Sequence, residues 1–120
     1  MITEPLFDRL GGEDGMRKIS SDIIDLHLVN PKIKDRYAGC KPEKLKEGLS
    51  TFLMQGTGGP QNYHGKDMRS AHEAMNIDDI EYMSMIDDMM KAFEMNGVEA
   101  RERGEFLYIL YCLRPLIVGQ

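Results

Sequence analysis

The chain has no tryptophan, only two cysteines and only three histidines among its 120 residues. Cys40 and Cys112 lie far apart and make neither a CxxC pair nor a disulfide framework, which points to a reducing, cytoplasmic setting. Long hydrophobic runs are missing, so no segment is expected to span a membrane. Excess positive charge is missing too. Lys and Arg number 15 against 20 Asp and Glu, and the net charge of −5 argues against a nucleic-acid partner. Met1-Ile2-Thr3-Glu4-Pro5 has neither the basic start nor the apolar stretch of a signal peptide. Alternating β-branched segments joined by tight turns do not occur, which excludes the usual all-β reading. Metalloprotease HExxH, nucleophile-elbow GxSxG, EF-hand and zinc-spaced Cys/His patterns are all absent.

What remains is ordinary globular composition, 42% hydrophobic and 29% charged, in a length that fits one domain over residues 1–120. A chain of this size buries about two-thirds of the surface its unfolded form exposes, so its core is modest. Ten methionines are read first as adaptable core filler.

Helical spacing runs throughout. A short helix is expected over residues 5–10, with Pro5 suited to its first turn and Gly11-Gly12 breaking it. A second covers about 13–29, with Met16, Ile19, Ile23, Ile24 and Leu28 on one side, and Asn30-Pro31 ends it. A short turn of helix over 33–37 precedes a third long helix over 42–55, whose apolar face carries Leu45, Leu49, Phe52 and Leu53. The glycine-rich stretch 56–65 is read as an ordered loop, and a short helix is placed over 66–75. Asp78 and Asp79 offer a cap for a long helix ending near Asn96, with Ile80, Met83, Ile86, Met90 and Phe93 expected inside. A last helix over 100–117 is expected to bury Phe106, Leu107, Ile109, Leu110 and Leu113.

No single residue carries a function on these grounds. His72 on a helix, His27 beside an apolar stripe and His64 in a loop each have an ordinary structural explanation. Their order along the chain is more telling. Leu6-Phe7-Asp8-Arg9-Leu10-Gly11-Gly12, then Gly58-Gly59-Pro60, Tyr63-x-Gly65-x-x-Met68 and Ala71-His72 together resemble the truncated hemoglobins. The spacing from Gly12 through Tyr37 to His72 is similar to the group 1 branch without gaps, and the resemblance covers Leu6 to about Val118.

The resemblance implies an all-α, two-over-two helical sandwich holding heme b, with His72 at the position of the proximal iron ligand. The other ring nitrogen of such a histidine donates to a carbonyl one turn earlier, here that of Met68. On the distal side the chain departs from the family. Ile24 stands at the usual tyrosine, Leu49 at a frequent glutamine, Ile23 at a common aromatic and Tyr37 at the phenylalanine that packs on the porphyrin. Leu45 and Leu53 share the face of Leu49, so the distal pocket is read as apolar with Tyr37 as its one relevant hydroxyl. Phe52, Tyr82, Met85 and Ile86 are expected as further walls, and Tyr63 with Lys66 or Arg69 as partners of the heme carboxylates. Neither His27 nor His64 stands at a family position for a second protein ligand.

The implied function is reversible binding of a diatomic gas: dioxygen, carbon monoxide or nitric oxide. A donor to bound dioxygen is worth on the order of 1.5–3 kcal/mol, so retention depends on whether Tyr37 turns inward or packs. Oxidation of nitric oxide to nitrate, with a reductase as partner, is the second reading. A heme-free globin fold acting as an interaction domain is the third.

Overall fold

The computed structural model describes residues 4–73 and 75–120. Its described elements are helical: α1 (Leu6–Arg9), α2 (Gly12–Val29), a 3-10 turn (Lys34–Tyr37), α3 (Pro42–Gly56), α4 (Met68–His72), α5 (Asp79–Met95) and α6 (Ala100–Ile117). The expected boundaries of the long helices hold to within about a residue, as capping chemistry allows.

The junction of α1 and α2 depends on two glycines. Gly11 caps α2 at φ +99, a left-handed conformation that a side chain resists. A Cβ on Gly15 would lie 2.3 Å from the backbone oxygen of Leu10, so the close approach of the two helices requires its absence. Helix α3 begins at Pro42, whose missing N–H costs nothing in a first turn. Helix α5 starts with a capping box. Glu81 N–H donates to the Asp78 carboxylate at 2.8 Å, and Asp78 N–H donates back to the Glu81 carboxylate at 3.2 Å.

Helix α2 packs on α3 and α5, while α6 packs on α5, α4 and α1. The core joins Met16, Ile19 and Ile23 of α2 to Phe93 of α5 and Phe106 of α6. Phe93 and Phe106 meet edge to face, with ring centres 4.7 Å apart. The C-terminus returns to the α4–α5 connection, where Gly119 N–H donates to Ile77 O at 2.8 Å.

Three expectations are corrected. Helix α4 is only Met68–His72, not residues 66–75: Asp67 caps it through Ser70 N–H at 3.0 Å, and Glu73 has already left helical geometry. Ala74 in that expected helix, like Met1–Thr3, lies outside the described residues. On α5, Ile80 and Met83 are 68% and 54% exposed, and the buried face runs through Tyr82, Met85, Ile86 and Phe93. Helix α5 carries apolar residues on more than one side, so periodicity alone allowed a rotated stripe; packing against α2 and α6 selects the other. On α6, Leu107 is 42% exposed beside exposed Tyr108 and Tyr111, whereas Phe106 and Leu110 are buried.

Candidate functional site

The helices enclose a cavity of about 560 Å³, within the range of roughly 300–1,000 Å³ usual for a cofactor or small-ligand site. Its walls are mainly apolar. Helix α3 contributes Leu45, Leu49, Phe52 and Leu53, helix α2 contributes Ile24, and α5 contributes Tyr82, Met85 and Ile86. Tyr37 of the 3-10 turn, Tyr63 of the loop, and Met68 and His72 of α4 also line it, as named from the sequence.

Two of the named residues are not brought there. Lys66 and Arg69 are exposed and do not line the cavity. Lys66 contributes its backbone instead, accepting the Tyr63 hydroxyl at 2.5 Å. Tyr63 also packs edge to face on Phe52, with ring centres 5.2 Å apart, and so fastens the glycine-rich loop to α3. The exposed residues Lys44, Asn62 and His64 mark the open rim. Lys44 had no sequence signal, because a lysine in the first turn of a helix reads as solvated. Leu110, Leu113 and Ile117 of α6 also line the cavity, and their helical spacing was the available signal. Met89, which filler chemistry explained, is a wall residue as well.

His72 Nδ1 lies 2.7 Å from Met68 O, the contact expected of this pair. A carbonyl only accepts, so Nδ1 carries the hydrogen and Nε2 keeps a free lone pair. His72 is thus fixed in one tautomer on the wall of an apolar cavity.

A second histidine shares the cavity. His27 is 3% exposed and lines it, and its Nδ1 lies 2.8 Å from Asp88 Oδ2. Burial pushes its imidazole below the ordinary value, against the opposing pull of Asp88. Its ring stacks on Tyr37 at 5.7 Å and 16°. Burial, helped by the charge of Asp88, pushes the Tyr37 phenol up to about 12, so the hydroxyl keeps its proton at neutral pH. Burial likewise raises Tyr82 to about 12, and its hydroxyl donates to Leu110 O.

Among the described residues no group of three or more His, Cys, Asp or Glu side chains is placed to hold a bare metal ion. Residues 5–117 match the sequence profile of the family described as bacterial-like globin. The chain belongs to that family. It is 24% identical over 117 residues to a group 1 truncated hemoglobin of Tetrahymena pyriformis, across 98% of this chain and 97% of that one. The crystal structure of the Tetrahymena pyriformis truncated hemoglobin in its Fe(III) form superposes with a TM-score of 0.94 at 22% identity, covering 98% of this chain and 100% of that one. The 2/2 hemoglobin of Synechococcus sp. PCC 7002, in the cyanomet state with covalently attached heme, superposes at 0.89 with 17% identity over 98% and 100%. The globin fold here is therefore the two-over-two helical sandwich that the sequence resemblance implied, with α2 and α3 set against α5 and α6.

Proposed function

We propose that this globin holds one heme b through His72 and reversibly binds a small diatomic gas. The observation that carries this reading is His72 itself: a cavity-lining imidazole whose Nδ1–H is committed to Met68 O, leaving Nε2 as a donor to iron. The apolar walls suit a flat macrocycle that brings its own equatorial nitrogens, which the described residues do not offer to a bare ion. When bound, heme supplies an iron with an open position for a gas. Phe52, Met85, Ile86 and Leu113 exclude water from the ring, and Lys44, not Lys66 or Arg69, is the rim cation suited to its carboxylates. Ile24, Leu45 and Leu49 give the ligand no hydrogen bond, and Tyr37 keeps a protonated hydroxyl on the same cavity. The two free, exposed cysteines fit a reducing cytoplasm.

Absorption spectra of the purified protein, ferric, ferrous and CO-bound, test the reading. The wild type should show a Soret band that shifts with carbon monoxide. His72→Ala should lose the band while keeping its helical circular dichroism. A folded, colourless wild type that takes up no added hemin would overturn the proposal.

A further inference from the structure

The second histidine of the cavity is not used by gas binding as described above. His27 sits in the last turn of α2, and α2 packs on α3 and α5, whereas His72 comes from α4 against α6. Asp88 Oδ2 receives His27 Nδ1 at 2.8 Å and Asn30 Nδ2 at 3.0 Å. Asn30 is anchored in turn, donating to Ser84 Oγ at 2.8 Å and accepting Lys32 N–H at 3.0 Å. The carboxylate therefore cannot swing away without breaking both of its hydrogen bonds, to His27 and to Asn30. Because a carboxylate accepts, it fixes the hydrogen on Nδ1 and leaves Nε2 as a bare lone pair. Among the described residues the hydrogen bond of this ring is the one to Asp88, and His27 lines the cavity. In its neutral form this imidazole cannot donate from Nε2 to bound dioxygen. It can accept a proton, and Asp88 stabilises the cation that results.

We propose that His27, backed by Asp88, is a base for small protic ligands: weak acids HX, such as hydrogen cyanide or hydrogen sulfide, that bind iron as anions. The H–X bond breaks with its electron pair left on X, the proton goes to His27 Nε2, and the anion is held in the cavity. No electron is exchanged. An apolar cavity admits the neutral acid more readily than its anion, so a built-in proton acceptor answers a need that the walls create. The proposal rests on the heme reading, since the anion needs the iron as its acceptor.

Other charged or titratable groups around His27 are Asp88 from α5 and Tyr37 from the 3-10 turn, with Lys44 and Glu47 of α3, Tyr63 and His64 of the loop, His72 of α4 and Tyr82 of α5 elsewhere on the cavity. Burial favours neutral His27, so the base is present at neutral pH and lost as pH falls below its depressed value.

The test is stopped-flow binding of cyanide to the ferric holoprotein across pH, with carbon monoxide binding to the ferrous protein as the proton-free control. His27→Gln should slow cyanide association by about 100-fold, the lower end of general-base effects, and remove the acidic limb of its pH profile. Asp88→Asn keeps the shape, removes the charge and should slow it by about tenfold. Carbon monoxide rates should stay within about twofold in both variants. Unchanged cyanide rates would overturn the proposal. So would equal losses for both ligands, which mark a packing role, and so would a resting spectrum in which His27 itself ligates the iron. A sample without a Soret band removes the heme reading, and this proposal with it, before any ligand is added.

Discussion

Tyr37 shows how one side chain combines packing with chemistry. Its ring stacks on His27, and its hydroxyl, kept protonated by burial, belongs to the same cavity wall as three aliphatic side chains of α3. If that hydroxyl donates to bound dioxygen, its removal costs a charge-assisted hydrogen bond of about 1.5–3 kcal/mol, or roughly one to two powers of ten in off-rate. Tyr37→Phe should therefore release dioxygen about 10- to 100-fold faster in a laser-photolysis or stopped-flow measurement, with carbon monoxide release little changed. An unchanged dioxygen rate would assign Tyr37 to packing alone. The identity of Tyr37 was legible from the sequence, as were the aliphatic neighbours that leave it without competitors. Its stacking partner was not, because ten residues separate it from His27 and a break in the helix intervenes.

Helices set the site by where they stop. Helix α4 ends at His72 because Asp67 starts it late and Glu73 turns out of it, so the histidine has a single helical turn beneath it and Met68 O within reach. The following connection is held from three sides: by the Arg36 guanidinium, which donates to Met75 O at 2.9 Å and pairs with Glu81; by the C-terminal backbone at Ile77; and by the Asp78 capping box. Arg36 pulls the Glu81 carboxyl below its ordinary range, as a paired cation should. Asp78→Ala should cost about 1 kcal/mol, the usual value of a lost cap, and lower Tm by roughly 3–6 °C in a thermal melt. The sequence placed α5 and its cap correctly, yet not its buried side. Ile80 and Met83 match helical spacing as well as Tyr82 and Met85 do, and only contact with α2 and α6 distinguishes the two stripes.

For the whole molecule, a cavity of about 560 Å³ in so short a chain is a structural cost, because its walls forgo contacts that a filled core would make. A cofactor that binds only the folded chain offsets that cost by mass action, about 4 kcal/mol at a thousandfold excess over Kd. Thermal melts followed by far-UV circular dichroism should accordingly give a lower Tm for protein stripped of heme, and a Tm that climbs as hemin is added back. A melt indifferent to hemin would argue against the cavity as its site. The same accounting changes the meaning of the methionines: Met85 and Met89 are walls of the cavity, whereas Met83 faces solvent.

The amino-acid sequence by itself determined the helical class, the positions of the turns and the apolar character of the cavity. Those depend on local matters: the 3.6-residue period, the left-handed freedom of Gly11, the caps at Pro42 and Asp78, and the aliphatic choices at Ile24, Leu45 and Leu49. Tertiary structure alone decided which residues of distant elements meet. It brought Lys44 to the rim in place of Lys66 and Arg69, and it turned Ile80 outward. It also joined His27 to Asp88 across 61 residues, a pairing no spacing rule anticipates, because it exists only where α2 crosses α5 and burial gives the imidazole a single partner.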